Sequence, residues 1–134
     1  MKNSFFVSKI DDINLRKYKI NLKDYKQDVK KILELLFSYK EIKTSKIFSP
    51  DISKIRFDIS FCNDETIHKI NNDYRKKDRP TDVITFSLFV DDDNPIVYRK
   101  TADLGQIIIS VETAEKQKTD TLKKEILTLT THGI

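Results

Sequence analysis

From Asn21 onward, Leu22, Tyr25, Val29, Ile32, Leu33 and Leu36 recur at helical spacing, and the pattern predicts a helix reaching about Tyr39. Asn21 suits the N-cap, where a side-chain oxygen can accept from an orphan amide of the first turn. Lys23, Lys26, Lys30 and Lys31 fall on the opposite face and read as a solvated stripe. Before this helix, Ser4 to Ile10 predicts a first strand. After it, Ile55, Phe57, Ile59 and Phe61 alternate with Arg56, Asp58 and Ser60, the period of a half-buried strand. Asn63 then caps a short helix whose buried face should hold Ile67, Ile70 and Tyr74, with His68 at a surface or boundary position.

Arg79-Pro80-Thr81 ends that helix, because proline disfavours helical geometry at the residue before it. Val83 to Val90 reads as a strand, and Asp91-Asp92-Asp93-Asn94-Pro95 as an exposed acidic loop. Leu104 to Ser110 is nearly all apolar, which predicts a central strand buried on both faces. Ser110 should cap a helix through about Lys118, and another runs from Leu122 to the end. Strands interspersed with helices predict a layered α/β arrangement. The 134 residues contain no internal repeat or Pro/Gly-rich linker, so one domain is expected.

Composition narrows the chemistry. Cys62 is the only cysteine, which excludes an intrachain disulfide and a Cys-rich zinc knuckle. Gly105 and Gly133 are the only glycines, too few for a P-loop or a dinucleotide fingerprint, where the backbone must approach phosphates closely. No G-x-S-x-G elbow presents a serine to either histidine, His68 or His132. No apolar run approaches the ~20 residues that span a bilayer, and no signal peptide is visible, so a cytoplasmic protein without membrane partners is expected. The net charge of +4 leans towards an anionic partner, although on charge alone a solvated basic surface is as good a reading.

Three blocks then stand out. Tyr74 to Phe86 reads Tyr-Arg-Lys-Lys-Asp-Arg-Pro-Thr-Asp-Val-Ile-Thr-Phe, with Asn71 three residues ahead. Leu104 to Ser110 reads Leu-Gly-Gln-Ile-Ile-Ile-Ser, and Glu125, Leu129, His132 and Gly133 are spaced as E-x-x-x-L-x-x-H-G. In this order the blocks resemble the YbeY family of metal-dependent endoribonucleases, whose segments are N-x-x-Y-R-x-x-D-x-P-T-D-V-L-S-F-P, L-G-D-I-V-I-S and a histidine motif. Both glycines fall inside matched blocks. Gln106 replaces the family's Asp, Ser87 a Pro, and Thr85 a Ser.

The resemblance implies an α+β fold, a small mixed β-sheet packed by helices with the histidine motif on a central helix. It implies a single-strand-specific endoribonuclease of small-subunit rRNA maturation and ribosome quality control, with RNA and the ribosome as partners. The family motif continues as H-G-x-L-H-L-x-G-Y-D-H, and its three histidines bind zinc, which lowers the pKa of a bound water to about 7. His132 matches the first ligand, and the sequence stops at Ile134 before the other two. The stripe of Ile126, Leu129, Thr130 and Gly133 runs to that last residue without a polar tail, which leads us to expect a chain shortened inside the motif. Gly133 within a helix costs roughly 0.5–1 kcal/mol against alanine, so a closely packed neighbour is expected there.

Arg75 matches a family arginine that faces the metal cleft, where a guanidinium fork suits paired phosphate oxygens. The local alternative is a surface Arg75 paired with Asp73 or Asp78, and for His132 a plain helix-end histidine. For the whole chain the alternative is a non-catalytic RNA- or ribosome-binding module.

Overall fold

The computed structural model describes residues 2–9, 14–36, 54–87, 89–91, 94–98 and 100–134. They form strands β1 (Lys2–Lys9), β2 (Lys54–Cys62), β3 (Val83–Ser87), β4 (Phe89–Asp91), β5 (Asn94–Tyr98) and β6 (Thr101–Ser110). Four helices accompany them: α1 (Leu22–Leu36), α2 (Asp64–Arg75), α3 (Val111–Gln117) and α4 (Leu122–Gly133). The sheet is mixed, in the order β1-β2-β6-β5-β4, with β3 also on β6. β1, β2 and β6 run parallel, while β3 and β5 pair antiparallel with β6. The expected mixed sheet packed by helices is therefore what the chain forms.

β6 is central because its side chains are wanted on both faces. Ile107 and Ile109 pack with Phe57, Ile59 and Phe61 of β2 against Tyr25, Val29 and Leu33 of α1 and Ile126 and Leu129 of α4. Ile108 points the other way and joins Cys62, Ile84 and Ile67, which seats α2 on the opposite face. Where β2 advances from Arg56 to Asp58, β6 advances from Asp103 to Gln106, so Leu104 and Gly105 together face Phe57. This is a bulge, and Gly105 at its centre has φ +114°. A Cβ there would stand 1.9 Å from the Phe86 carbonyl oxygen.

The caps follow local chemistry. Asn21 Oδ1 accepts from the Asp24 amide at 3.2 Å, and Asn63 Oδ1 from the Thr66 amide at 2.8 Å. Ser110 Oγ accepts from the Thr113 amide and donates to Asp64 Oδ1 at 2.6 Å, tying the start of α2 to the start of α3. Asp64 also accepts from Thr113 Oγ1 and from Lys116 Nζ. Burial alone would raise the Asp64 carboxyl, but the hydrogen bonds from Lys116, Ser110 and Thr113 outweigh it and hold the group below its usual range. Across the helical layer, Tyr25 Oη lies 2.7 Å from Thr130 Oγ1. The Thr130 hydroxyl donates to the Ile126 carbonyl, which can only accept, so Tyr25 must be the donor.

Several expectations change. Tyr74 is not buried but 72% exposed, because it lies in the last turn of α2 and meets the sheet edge to face at Phe86 without entering the core. The strand expected over Val83 to Val90 is two strands, β3 and β4, and Asn94-Pro95 opens β5 instead of lying in a loop. β4 and β5 pair as an antiparallel hairpin, so the backbone there is extended despite its acidic and proline content. Residues 92 and 93 of the acidic run, and 37–39 at the expected end of α1, lie outside the described residues. The four lysines of α1 are exposed, as a solvated face requires. Among the described residues no helix is long and apolar enough to cross a membrane.

Candidate functional site

The first part of the site is the turn that ends α2. Lys76 takes the left-handed conformation at φ 57°, and its amide and that of Lys77 donate back to Asn72 and Asn71 carbonyls. Asn71 is 1% exposed, and its Nδ2 donates to the Arg79 carbonyl at 2.9 Å. Its Oδ1 is buried without a hydrogen-bond partner among the described residues. On the outer side, His68 Nε2 stands 2.7 Å from Asp78 Oδ1. The turn is thus pinned from within by Asn71 and from without by His68. It carries Arg75, Lys76, Lys77 and Arg79, all exposed. Asp78 is engaged by His68, and Arg75 has no ion pair with any described residue.

The second part is the end of α4. His132 is exposed in its last turn. Gly133, beside it, lies so close to the sheet that a Cβ would come within 3.0 Å of Ile107 Cγ2 and 3.2 Å of Thr85 Oγ1. Thr85 Oγ1 also donates to the Gly133 carbonyl at 3.3 Å. The close neighbour expected for this glycine is therefore the β3–β6 ladder.

β3 lies between the two parts. Thr85 touches the end of α4 on one face, and its neighbour Phe86 touches the end of α2 on the other. The Tyr74 and Phe86 rings meet edge to face with centroids 5.6 Å apart. Among the described residues β3 pairs with β6 alone. Its start is fixed by Asp82, whose carbonyl accepts from the Ser110 amide and whose Oδ1 accepts from the Val83 amide at 2.7 Å. Asp82 Oδ2 accepts from Gln117 Nε2 at 3.1 Å, and the same Nε2 donates to Glu125 Oε1 at 2.8 Å. Gln117 so joins the Thr-Asp-Val block to the histidine-bearing helix. Nothing in the local pattern singled out Gln117, because its partners lie 35 and 8 residues away, on other elements.

The helices that carry Arg75 and His132 accordingly pack on opposite faces of the sheet, and each ends beside the same short stretch of β3. On the α2 face a hollow of about 420 Å³ opens between Ile70, Tyr74, Phe86, Gln106 and Ile108. Gln106, standing where the family has Asp, donates from Nε2 to Ser60 Oγ at 3.2 Å. A catalytic zinc site takes three protein ligands and an open position. Among the described residues no three His, Cys, Asp or Glu side chains stand where they could hold a metal ion. His132 is one imidazole at a helix end, and these residues alone do not make a zinc site.

Comparison with known proteins gives a consistent result. The family model described as "Endoribonuclease YbeY" matches residues 12–134. An endoribonuclease YbeY of Persephonella marina is 35% identical over 118 residues, covering 86% of this chain and 65% of its own length. One from Oenococcus oeni is 34% identical over 108 residues, covering 78% of this chain and 64% of its own. One from Picosynechococcus is 39% identical over 80 residues, covering 57% of this chain and 49% of its own. The chain thus spans about half to two thirds of the length of these relatives. The solution structure of a Thermotoga maritima protein superposes with a TM-score of 0.57 at 22% identity, over 97% of this chain and 69% of that one, which is a likeness of fold.

Proposed function

Because the chain belongs to the endoribonuclease YbeY family, we propose that residues 1–134 form a domain of a single-strand-specific metallo-endoribonuclease. It would act in the cytoplasm on small-subunit rRNA, in ribosome maturation and quality control. The supporting observation is that α2 and α4, which carry Arg75 and His132, both end against β3, at Phe86 and Thr85. In this reading the Arg75 guanidinium takes two oxygens of the scissile phosphate, and Lys76, Lys77 and Arg79 follow the RNA backbone. His132 is the one imidazole that these residues offer to zinc, and the two further histidines of the family pattern are not among residues 1–134.

The test compares this chain with one carrying the whole histidine motif. The 134-residue chain should bind single-stranded RNA weakly and with strong salt dependence, and should not cut it. The form with three histidines should cut single strands, a chelator should stop it, and Arg75→Ala should slow it on the order of 10²-fold without moving the unfolding midpoint. A zinc-loaded, three-histidine protein that binds RNA and never cuts it would overturn the enzyme reading. The non-catalytic RNA- or ribosome-binding module would then take its place.

A further inference from the structure

We propose that the hollow beside Tyr74 is a nucleobase pocket, taking one unstacked base of a single-stranded RNA between the Tyr74 ring and the Gln106 amide. The inference rests on the RNA reading above and adds to it a subsite on the α2 face, next to Arg75 in the chain. Tyr74 is 72% exposed, which is unusual for a large ring that is also held in place, here by its edge-to-face contact with Phe86. An exposed aromatic ring held in a fixed orientation is a stacking platform for a base, and loses little entropy when one arrives. Ile70 and Ile108 make the rest of the wall apolar. The hollow, at about 420 Å³, is within the usual size of small-molecule sites and has room for a nucleoside.

Two features favour a base over an apolar side chain of a protein partner. The first is Gln106. Its Nε2 is anchored on Ser60 Oγ, while its Oε1 has no hydrogen-bond partner among the described residues. That carbonyl oxygen can accept from a donor on a base edge, which an apolar side chain does not offer. The second is charge. The chain leaves Tyr74 directly into Arg75, Lys76, Lys77 and Arg79, all exposed, so cations for a sugar-phosphate backbone adjoin the platform for its base.

The experiment uses the 134-residue chain, a short labelled oligouridylate and an abasic ribose-phosphate strand of equal length and charge, titrated by fluorescence anisotropy at low salt. The wild-type chain should bind the base-bearing strand more tightly. Tyr74→Ala should weaken that strand by roughly 10-fold or more and leave the abasic strand unchanged. Gln106→Leu should remove part of the same difference, and serves as the second variant should Tyr74→Ala fail to fold. Arg75→Ala should weaken both strands by a similar factor. Equal wild-type affinity for the two strands overturns the pocket and leaves the RNA reading intact, as does loss of both strands together in Tyr74→Ala. Displacement of the base-bearing strand by a phenylalanine-containing peptide but not by free uridine points to a protein partner and also overturns it. Binding of neither strand at any salt overturns the pocket and the RNA reading together.

Discussion

Gly105→Ala should be among the most damaging single-methyl changes this chain can suffer. At φ +114° an L-residue is strained by about 1–3 kcal/mol wherever it stands. The new Cβ would in addition fall 1.9 Å from the Phe86 oxygen and 2.9 Å from its carbonyl carbon, both backbone atoms. No rotamer can relieve this, so β3 must retreat from β6 by roughly 1.5 Å to restore an ordinary contact, which breaks the ladder bonds around Phe86 and Gln106. Each such bond contributes about 1 kcal/mol net. Strain and ladder together come to about 3–5 kcal/mol, a large part of the ~5–15 kcal/mol by which domains are stable. Urea unfolding followed by far-ultraviolet circular dichroism measures it. With a slope near 1.5 kcal/mol per molar, the midpoint should fall by about 2 M or more. A fall below about 0.5 M would mean that the bulge tolerates a side chain, and the argument from close approach would be refuted.

Three further outcomes follow from the same structure. Asn71→Ala removes the bond that holds the Arg79 carbonyl, so it should destabilise the chain by about 1–3 kcal/mol in denaturant unfolding and, on the RNA reading proposed above, weaken RNA binding by loosening the basic turn. The Asp64 carboxyl is held below its unfolded value of 3.8, so its contribution is complete above that pH and is lost as the pH falls through the lower folded value. Thermal melts between pH 5 and pH 2 should therefore fall less steeply for Asp64→Asn than for the wild-type chain. Burial pushes the Tyr25 phenol above its ordinary 10.0, so the folded state favours the protonated form, and stability from this group should decline as the pH rises above 10.0. Tyr25→Phe should flatten that decline in melts at alkaline pH, at a cost near neutrality of about 0.5–1.5 kcal/mol.

Features that depend on a few adjacent residues were legible in the sequence. Asn21, Asn63 and Ser110 cap the helices expected of them, because a cap is a bond across three residues. The alternation from Ile55 to Phe61 and the apolar run before Ser110 marked β2 and the central strand for the same reason. Gly133 announced a close approach without saying to what. The elements that escaped are set by distant parts of the chain. Tyr74 keeps helical spacing yet is largely exposed, because in the last turn of α2 its ring meets the sheet edge to face at Phe86 and does not enter the core. The bridge from Asp82 through Gln117 to Glu125, and the buried hold of Asn71 on the turn, carry no local pattern. Arg75 and His132 were named through family resemblance, whereas the meeting of their two helices at one strand comes from how β3 is sandwiched. That follows from topology and from no spacing in the chain.

The left-handed turns bear on how this protein could be improved. Lys19, Lys76 and Lys100 have φ of 57°, 57° and 63°, and all are exposed. Glycine is the residue such geometry favours, yet the chain has only two glycines and sets a lysine at each of these turns. Each left-handed lysine carries about 1–2 kcal/mol of steric strain, offset in part by the smaller freedom of its unfolded chain. Lys19 and Lys100 are therefore places where glycine or asparagine could raise thermal tolerance at some loss of charge. Lys76 differs, because there the strained backbone keeps a cation in the turn next to Arg75, and relaxing it with glycine would exchange one of that turn's exposed charges for robustness.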